Sequence, residues 1–221
     1  CGDDDFGVQN RAKEIYQIWP EQIGGMHHDI IDASVTNSGD ALNQISKLRE
    51  AIQTLPFFGS GKVVWLRDCN FLGEERAASA QAVTETLGEL AGELKNFQWQ
   101  NVRLLISAGK VDNRKTFFKT LDKIGTVETF DALSADDKDW AERAEMAASA
   151  AIRERKKEIS TVALDALIAR VGPNARQLEN EIEKLSLFAG ERKKIEVADV
   201  AAICSQNKLA RAFALGDALG D

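Results

Sequence analysis

Apolar runs alternate with helix-like patterns over the first 130 residues of the chain. Three runs are apolar almost throughout and predict buried strands: residues 28–35 (HDIIDASV), 62–67 (KVVWLR) and 102–108 (VRLLISA). Between them, apolar residues spaced three and four apart predict four helices, at 8–19, 40–55 with Asp40 as its cap, 74–95 and 114–123. A short final strand is predicted at 126–130. Buried strands separated by helices are typical of a parallel sheet covered on both faces, so the pattern predicts an α/β domain over 1–136.

The strand signal ends after residue 136, and helical patterns continue alone. The predicted helices lie at 137–157, from a cap at Ser160 to Val171, from the turn at 172–174 to Phe188, and at 197–205. This second region, 137–206, is therefore predicted as a small all-helical lid. Another amphipathic pattern begins at 208, and we expect 207–221 to be the start of a further domain.

The first nine residues, CGDDDFGVQ, have the glycine spacing of a phosphate-binding loop. In such a loop, G-x-x-x-x-G is followed by Lys, which reaches the phosphates, and then by Ser or Thr, which holds magnesium. Gly2 and Gly7 supply the spacing, but Val8 and Gln9 stand at the Lys and Ser/Thr positions. The three aspartates at 3–5 would repel phosphate, or form a solvated turn. We therefore expect a degenerate nucleotide site that binds no cofactor. The strand that should precede such a loop is not in this sequence, so the chain is expected to be a fragment cut near the loop.

Two further positions support this interpretation. A later strand of P-loop ATPases ends in Asp-Glu, whose Glu activates the attacking water. Here the strand at 62–67 is followed by Asp68 and Cys69, so the Asp is present and the Glu is not. Ser107 occupies the place of the polar residue that senses the γ-phosphate, although Ser at a strand end is unremarkable.

Composition narrows the classes of function. The chain has 221 residues, 44% hydrophobic and 29% charged, and a formal net charge of −7. An acidic chain with short basic runs at 153–157 and 192–194 is unlike a body that grips nucleic acid by neutralising phosphates. The sequence contains no apolar stretch long enough to span a membrane. Three widely spaced cysteines suggest neither a disulfide framework nor a zinc site, and fit a reducing cytoplasm.

Several blocks together resemble one family. GDDDF opening a helix, LPFFGSGKVVWLRDCNFL, LLISAGKVDNRKTFFKTL, VGPNARQLENEIEKLSLF and ARAFALGDAL occur in order and are similar to the delta subunit of bacterial DNA polymerase III, the ring-opening subunit of the sliding-clamp loader. The resemblance implies an AAA+ fold, of P-loop NTPase type, with a lid and a C-terminal collar. It also implies a subunit without ATPase activity in the polymerase holoenzyme. Its partners would be the sliding clamp (the beta ring), other clamp-loader subunits and, only within the assembled complex, primed DNA.

The resemblance assigns the segment Leu55-Pro56-Phe57-Phe58-Gly59 to clamp binding. In the family, two adjacent hydrophobic residues at this place form a wedge that enters a pocket on the clamp, and the matching positions are Phe57 and Phe58. The residues are compatible with that role, because Pro56 stops a helix and Gly59 permits a turn in which two large rings can hardly both point inward. The alternative is that one or both rings are ordinary core residues.

Two other functions stay open at this point. The chain could be an active ATPase with an unorthodox loop, or a purely structural scaffold that binds sister subunits but not the clamp. Nucleotide-binding and clamp-binding measurements separate these possibilities.

Overall fold

A computed structural model describes residues 1–24, 27–54 and 61–205 of the chain. These residues form two compact units that divide between Asp131 and Ala132. The predicted boundary lay nearby, at residue 136, and each unit is described by itself below.

The first unit is built on a three-stranded parallel sheet in the order β1-β2-β3. The strands are β1 (His27–Asp32), β2 (Lys62–Cys69) and β3 (Val102–Ala108). The central strand β2 is buried over its first five residues, as its nearly continuous apolar sequence predicts for a strand covered on both faces. The prediction of a parallel α/β sheet is confirmed.

Helices cover both faces of this sheet. They are α1 (Asp5–Ile23), α2 (Ser38–Gln53), α3 (Gln81–Lys95) and α4 (Thr116–Ile124). Trp65 on β2 and Leu105 on β3 pack with Ala12 of α1. Successive strand residues point to opposite faces, so Val64 and Leu66 belong instead to the main core, together with the apolar faces of α2 and α3. Phe117 of α4 also joins this core.

All four helices of this unit begin at residues different from those predicted, and for α1 and α2 a capping side chain sets the start. The helix α1 begins at Asp5, since the Asp4 side chain caps it. The helix α2 begins at Ser38, since the Oδ1 atom of Asn37 accepts the Asp40 N–H at 2.9 Å and Asp40 is therefore not the cap. The helix α3 begins only at Gln81. Residues 74–80 form turns instead. The ammonium of Lys115 donates hydrogen bonds to the carbonyl group of residue 73, just before these turns, and to that of residue 78, within them.

The prediction of a strand at 126–130 was wrong, although the backbone of this segment makes hydrogen bonds with Cys1. The Cys1 amino group donates to the Glu128 carbonyl at 2.9 Å, and the Phe130 N–H donates to the Cys1 carbonyl at 2.8 Å. A largely apolar pocket of about 540 Å³ is lined both by residues of this segment and by residues of β3. A single paired residue is too short a ladder to make a strand.

The second unit contains four helices and a short parallel ladder within its described part. The helices are α5 (Trp140–Glu154), α6 (Thr161–Val171), α7 (Ala175–Ala189) and α8 (Val197–Ile203). The ladder pairs β4 (Glu158–Ile159) with β5 (Lys194–Ile195), and the sequence pattern did not predict it. Ser160 caps α6 as expected, by accepting the Ala163 N–H at 3.4 Å. Apolar residues of all four helices share one core.

Within the part of the chain that the structure describes, no helix is long and apolar enough to cross a membrane. The predicted helix at 208–219, and with it the proposed third domain at 207–221, lies outside the described residues.

Candidate functional site

The position of the phosphate loop is occupied by a helix that the chain caps itself. Asp4 precedes α1, and its Oδ1 atom accepts the N–H of Gly7 at 3.1 Å. The N-terminus of a helix attracts anions, because its first N–H groups lack partners and the helix dipole is positive there. In this chain the anion at the N-terminus of α1 is the carboxylate of Asp4.

Close packing against the segment at 128–130 explains Gly2. Its φ angle is 140°, and a Cβ atom at this position would lie 2.0 Å from the carbonyl oxygen of Phe130. The Gly2 N–H points to the carbonyl oxygens of Ala108 and Gly109, at 3.3 and 3.2 Å, and the Asp4 N–H donates to Phe130 at 3.1 Å. The N–H groups of Gly2 and Asp4, two of the backbone donors in the predicted loop, are therefore already satisfied within the protein.

Val8 and Gln9, which replace the Lys and the Ser or Thr, lie in the first turns of α1. Val8 is 6% exposed and belongs to the core, and Gln9 is partly buried. An apolar side chain at position 8 thus strengthens the packing of α1 and offers no charge to a phosphate.

Asp68 and Cys69 end β2 at an irregular place. The register with β3 shifts between Leu66 and Cys69, and Asp68 has a φ angle of 55°, which is uncommon for a residue with a side chain. The carboxylate of Asp68 lies 3.6 Å from Nε of Arg67. Cys69 is 1% exposed, and burial raises the pKa of its thiol to about 12. A thiol that stays protonated cannot replace the missing Glu as a base.

Ser107 holds this irregular strand end in place. Ser107 is only 2% exposed. Its Oγ atom accepts two hydrogen bonds, from Nε1 of Trp65 at 3.0 Å and from the Asp68 N–H at 3.2 Å. A hydroxyl has two acceptor positions, so both are in use. The contacts favour a structural role for Ser107 over a nucleotide-sensing one.

The structure brings these sequence-distant positions to one end of the sheet. Gly2 contacts the residue that follows Ser107, and Ser107 contacts Asp68, because the carboxyl ends of parallel strands meet at the same edge. The predicted site residues thus lie close together, and their polar atoms bind one another.

Sequence reasoning missed several polar links at the same edge. The Asn70 side chain accepts from the Val35 N–H at 3.0 Å and donates to the Val35 carbonyl at 2.9 Å, which joins the segments after β1 and β2. Asp32 accepts from the Ser34 hydroxyl and, at 3.1 Å, from Arg67. The Ser34 hydrogen bonds, followed by the Arg67 contact, lower the pKa of the Asp32 carboxyl to about 2. Asp or Asn directly after a buried strand was the available signal.

The predicted clamp-binding segment, Leu55, Pro56, Phe57, Phe58 and Gly59, lies outside the described residues. The residues on either side are described. Thr54 follows α2, and its N–H donates to the Glu50 carbonyl at 2.9 Å. Gly61 precedes Lys62, the first residue of β2. The described flanks place the segment between the end of α2 and the start of the central strand.

Among residues 1–24, 27–54 and 61–205, no group of three or more His, Cys, Asp or Glu side chains is arranged to hold a metal ion. Cys1, Cys69 and Cys204 are free thiols.

The geometry defines a class first: a parallel α/β domain whose first helix is capped by its own side chain at the position of the predicted phosphate loop. The family model for DNA polymerase III, delta subunit, matches residues 1–130, and the chain belongs to that family. The resemblance in the sequence is thereby confirmed.

Solved structures agree at the level of fold. The Bacillus subtilis DNA clamp loader delta protein is similar with a TM-score of 0.65 and 19% identity, over 97% of this chain and 60% of that one. The Thermotoga maritima RuvB Holliday junction branch migration motor has a TM-score of 0.46 and 13% identity, over 91% of this chain and 58% of that one, a likeness too low to carry an argument. The chain thus spans about 60% of the length of the clamp loader protein. No curated protein sequence matches it significantly.

Proposed function

We propose that this chain acts as a clamp-loader delta subunit, which binds a sliding clamp and traps its ring in an open state for loading onto primed DNA. Membership of the delta family over residues 1–130 is the observation that carries the proposal. The fold likeness to a clamp loader delta protein supports it. Sister clamp-loader subunits would be the further partners, DNA would be contacted within the assembled complex, and the cytoplasm would be the place of action.

We propose that the contact with the clamp is made by Phe57 and Phe58. Burying two exposed Phe side chains in a partner contributes about 1.5–3 kcal/mol each, or ~3–6 kcal/mol together. That is a large share of the roughly 8 kcal/mol of a micromolar contact, and it can help to hold a ring that has opened by itself. It is less than the full cost of separating a large interface, so trapping is the favoured mechanism.

We propose also that the chain hydrolyses no ATP. The self-capped α1, the satisfied N–H groups of Gly2 and Asp4, and the protonated Cys69 thiol all support this. Energy from ATP would then come from partner subunits. Calorimetry with ATP and magnesium should give no binding heat, and a turnover above that of a blank would support the alternative of an active ATPase.

The double substitution Phe57→Ala with Phe58→Ala tests the clamp contact. We expect clamp binding to be lost, because ~3–6 kcal/mol corresponds to a factor of more than about 100 in Kd, while the melting temperature stays nearly unchanged. Surface plasmon resonance with immobilised clamp measures the first quantity and differential scanning calorimetry the second.

A matched control is the exposed apolar pair Leu187 and Phe188 on α7, which are 74% and 49% exposed. Changing both of these to Ala should leave clamp binding intact. A large loss of stability with clamp binding retained in the Phe57/Phe58 variant would refute the proposed contact. Wild-type chain that binds sister subunits but not the clamp would instead support the scaffold alternative.

A further inference from the structure

Lys62 is a buried cation whose side chain reaches the end of α2. The side chain is 7% exposed, and its Nζ atom lies 2.6 Å from Oδ2 of Asp29 on β1. The same ammonium donates to the carbonyl oxygen of Thr54 at 3.2 Å. A buried charge is costly unless it is paired and hydrogen bonded, so both contacts must matter to the local structure.

The Thr54 carbonyl belongs to the group of acceptors that a helix leaves without partners at its C-terminus. Cations stabilise this end of a helix, because the helix dipole is negative there. The last turn of α2, all of which is described, carries no basic residue of its own. Lys62 supplies the missing cation from the neighbouring strand.

The chain is also fixed where it returns to the sheet. The backbone N–H of Lys62 donates to the Asn101 carbonyl at 2.8 Å. Gly61 packs so closely on the end of α1 that a Cβ atom there would lie 2.6 Å from both Cγ1 and the carbonyl oxygen of Ile23. One residue, Lys62, therefore joins both ends of the intervening segment, through its backbone at one end and its ammonium at the other.

We propose that Lys62, held by Asp29, is a positioning residue for clamp binding. It fixes the points at which the chain leaves α2 and re-enters β2, on either side of the proposed clamp contact, and so strengthens that contact. The proposal rests on the proposed function of Phe57 and Phe58. A partner binds more weakly when the competent arrangement is a minor state, in proportion to the fraction populated.

The change Lys62→Met removes the ammonium and keeps an unbranched side chain of similar length. We expect the Kd for the clamp to rise about tenfold, since the competent fraction falls by that factor. The amide of Thr54, which donates to Glu50, should exchange its hydrogen about tenfold faster. Lys62→Arg restores a donor and should bring both values back to within about threefold of wild type.

The control is Arg49→Met on the same helix. Arg49 forms ion pairs with Glu89 and Glu93 of α3, at 3.2 and 3.0 Å. Neither ion pair involves Lys62 or Thr54. This variant should lower stability slightly and leave both the Kd and the Thr54 exchange rate unchanged. If Lys62→Met destabilises the fold too far, Asp29→Asn, which keeps a neutral acceptor, should weaken clamp binding by about threefold.

The outcomes separate the two proposals. Normal clamp binding by folded Lys62→Met, or equal weakening by Arg49→Met, overturns the positioning role. If the wild-type chain does not bind the clamp at all, the proposed function fails. Hydrogen exchange at the Thr54 amide still tests whether the Lys62 ammonium stabilises the end of α2. An unchanged exchange rate in Lys62→Met then overturns the inference on its own.

Discussion

Replacing Ser107 by Ala tests whether this residue stabilises the end of β2 or serves a nucleotide. The substitution removes an acceptor shared by Nε1 of Trp65 and the N–H of Asp68. It creates hardly any cavity, because one oxygen atom is lost. The expected effect therefore comes from two donors left without a partner.

The magnitude follows from the burial of each donor. An unsatisfied buried donor costs about 1–3 kcal/mol. The bond from Trp65 is fully buried and belongs near the upper part of that range, whereas the amide of Asp68 is partly buried and can recruit water. We expect the free energy of unfolding of the first unit to fall by about 2–4 kcal/mol.

Urea unfolding followed by tryptophan fluorescence measures this change. The control is Thr86→Ala on α3, whose exposed hydroxyl donates to the Ala82 carbonyl at 2.7 Å and should matter by less than about 0.5 kcal/mol. A loss below about 0.5 kcal/mol for Ser107→Ala would refute the structural account. The sensing role would be supported if the variant kept its stability and lost an affinity for ATP.

Further outcomes follow at Asp32, at Gly2 with Gly88 as its control, and at Asp199. Hydrogen bonds lower the pKa of the Asp32 carboxyl to about 2. Its contribution to stability is therefore present above about pH 4 and is lost as the pH falls through 2. The substitution Asp32→Asn should flatten the acid side of a plot of melting temperature against pH. Gly2→Ala should lower the free energy of unfolding, measured in urea, by about 2–4 kcal/mol, because the added Cβ would overlap the Phe130 carbonyl. The control Gly88→Ala, in open space on α3, should raise it by about 0.5–1 kcal/mol. Asp199→Ala removes the carboxylate that completes the capping box of α8, and should cost the second unit about 1–3 kcal/mol, measured by circular dichroism of thermal unfolding.

The strands could be predicted because their signal is local. Residues 102–108 were predicted as a strand, and β3 has those bounds. The prediction for β2 stopped at Arg67, before the bulge that carries Asp68 at φ 55°, since a bulge depends on its partner strand and not on its own composition. The predicted strand at 126–130 failed for the opposite reason. Its composition fits a strand, but a strand also needs a neighbour long enough to pair with.

Helix starts were harder, because nearby groups compete to cap the same N–H groups. Asn37 and Asp40 are both good caps, and the sequence alone did not indicate that Asn37 would take the role. At the candidate site, the absence of Lys at position 8 was visible in the sequence. That Asp4 caps α1 and that Gly2 packs against Phe130 could not be predicted, since both depend on contacts that form only in the folded chain.

These contacts bear on why a nucleotide would gain little at this site. A phosphate would have to displace the Asp4 carboxylate from the Gly7 N–H and break the hydrogen bonds of the Gly2 and Asp4 N–H groups. Each exchange forfeits about 0.5–1.5 kcal/mol, and the aspartates at 3–5 add repulsion of about 1–4 kcal/mol per pair at ~4 Å. A working loop has the reverse balance, because its free N–H groups and its Lys are satisfied only when phosphate binds. Satisfying the same groups from within keeps the start of α1 and the end of the sheet paired without a ligand.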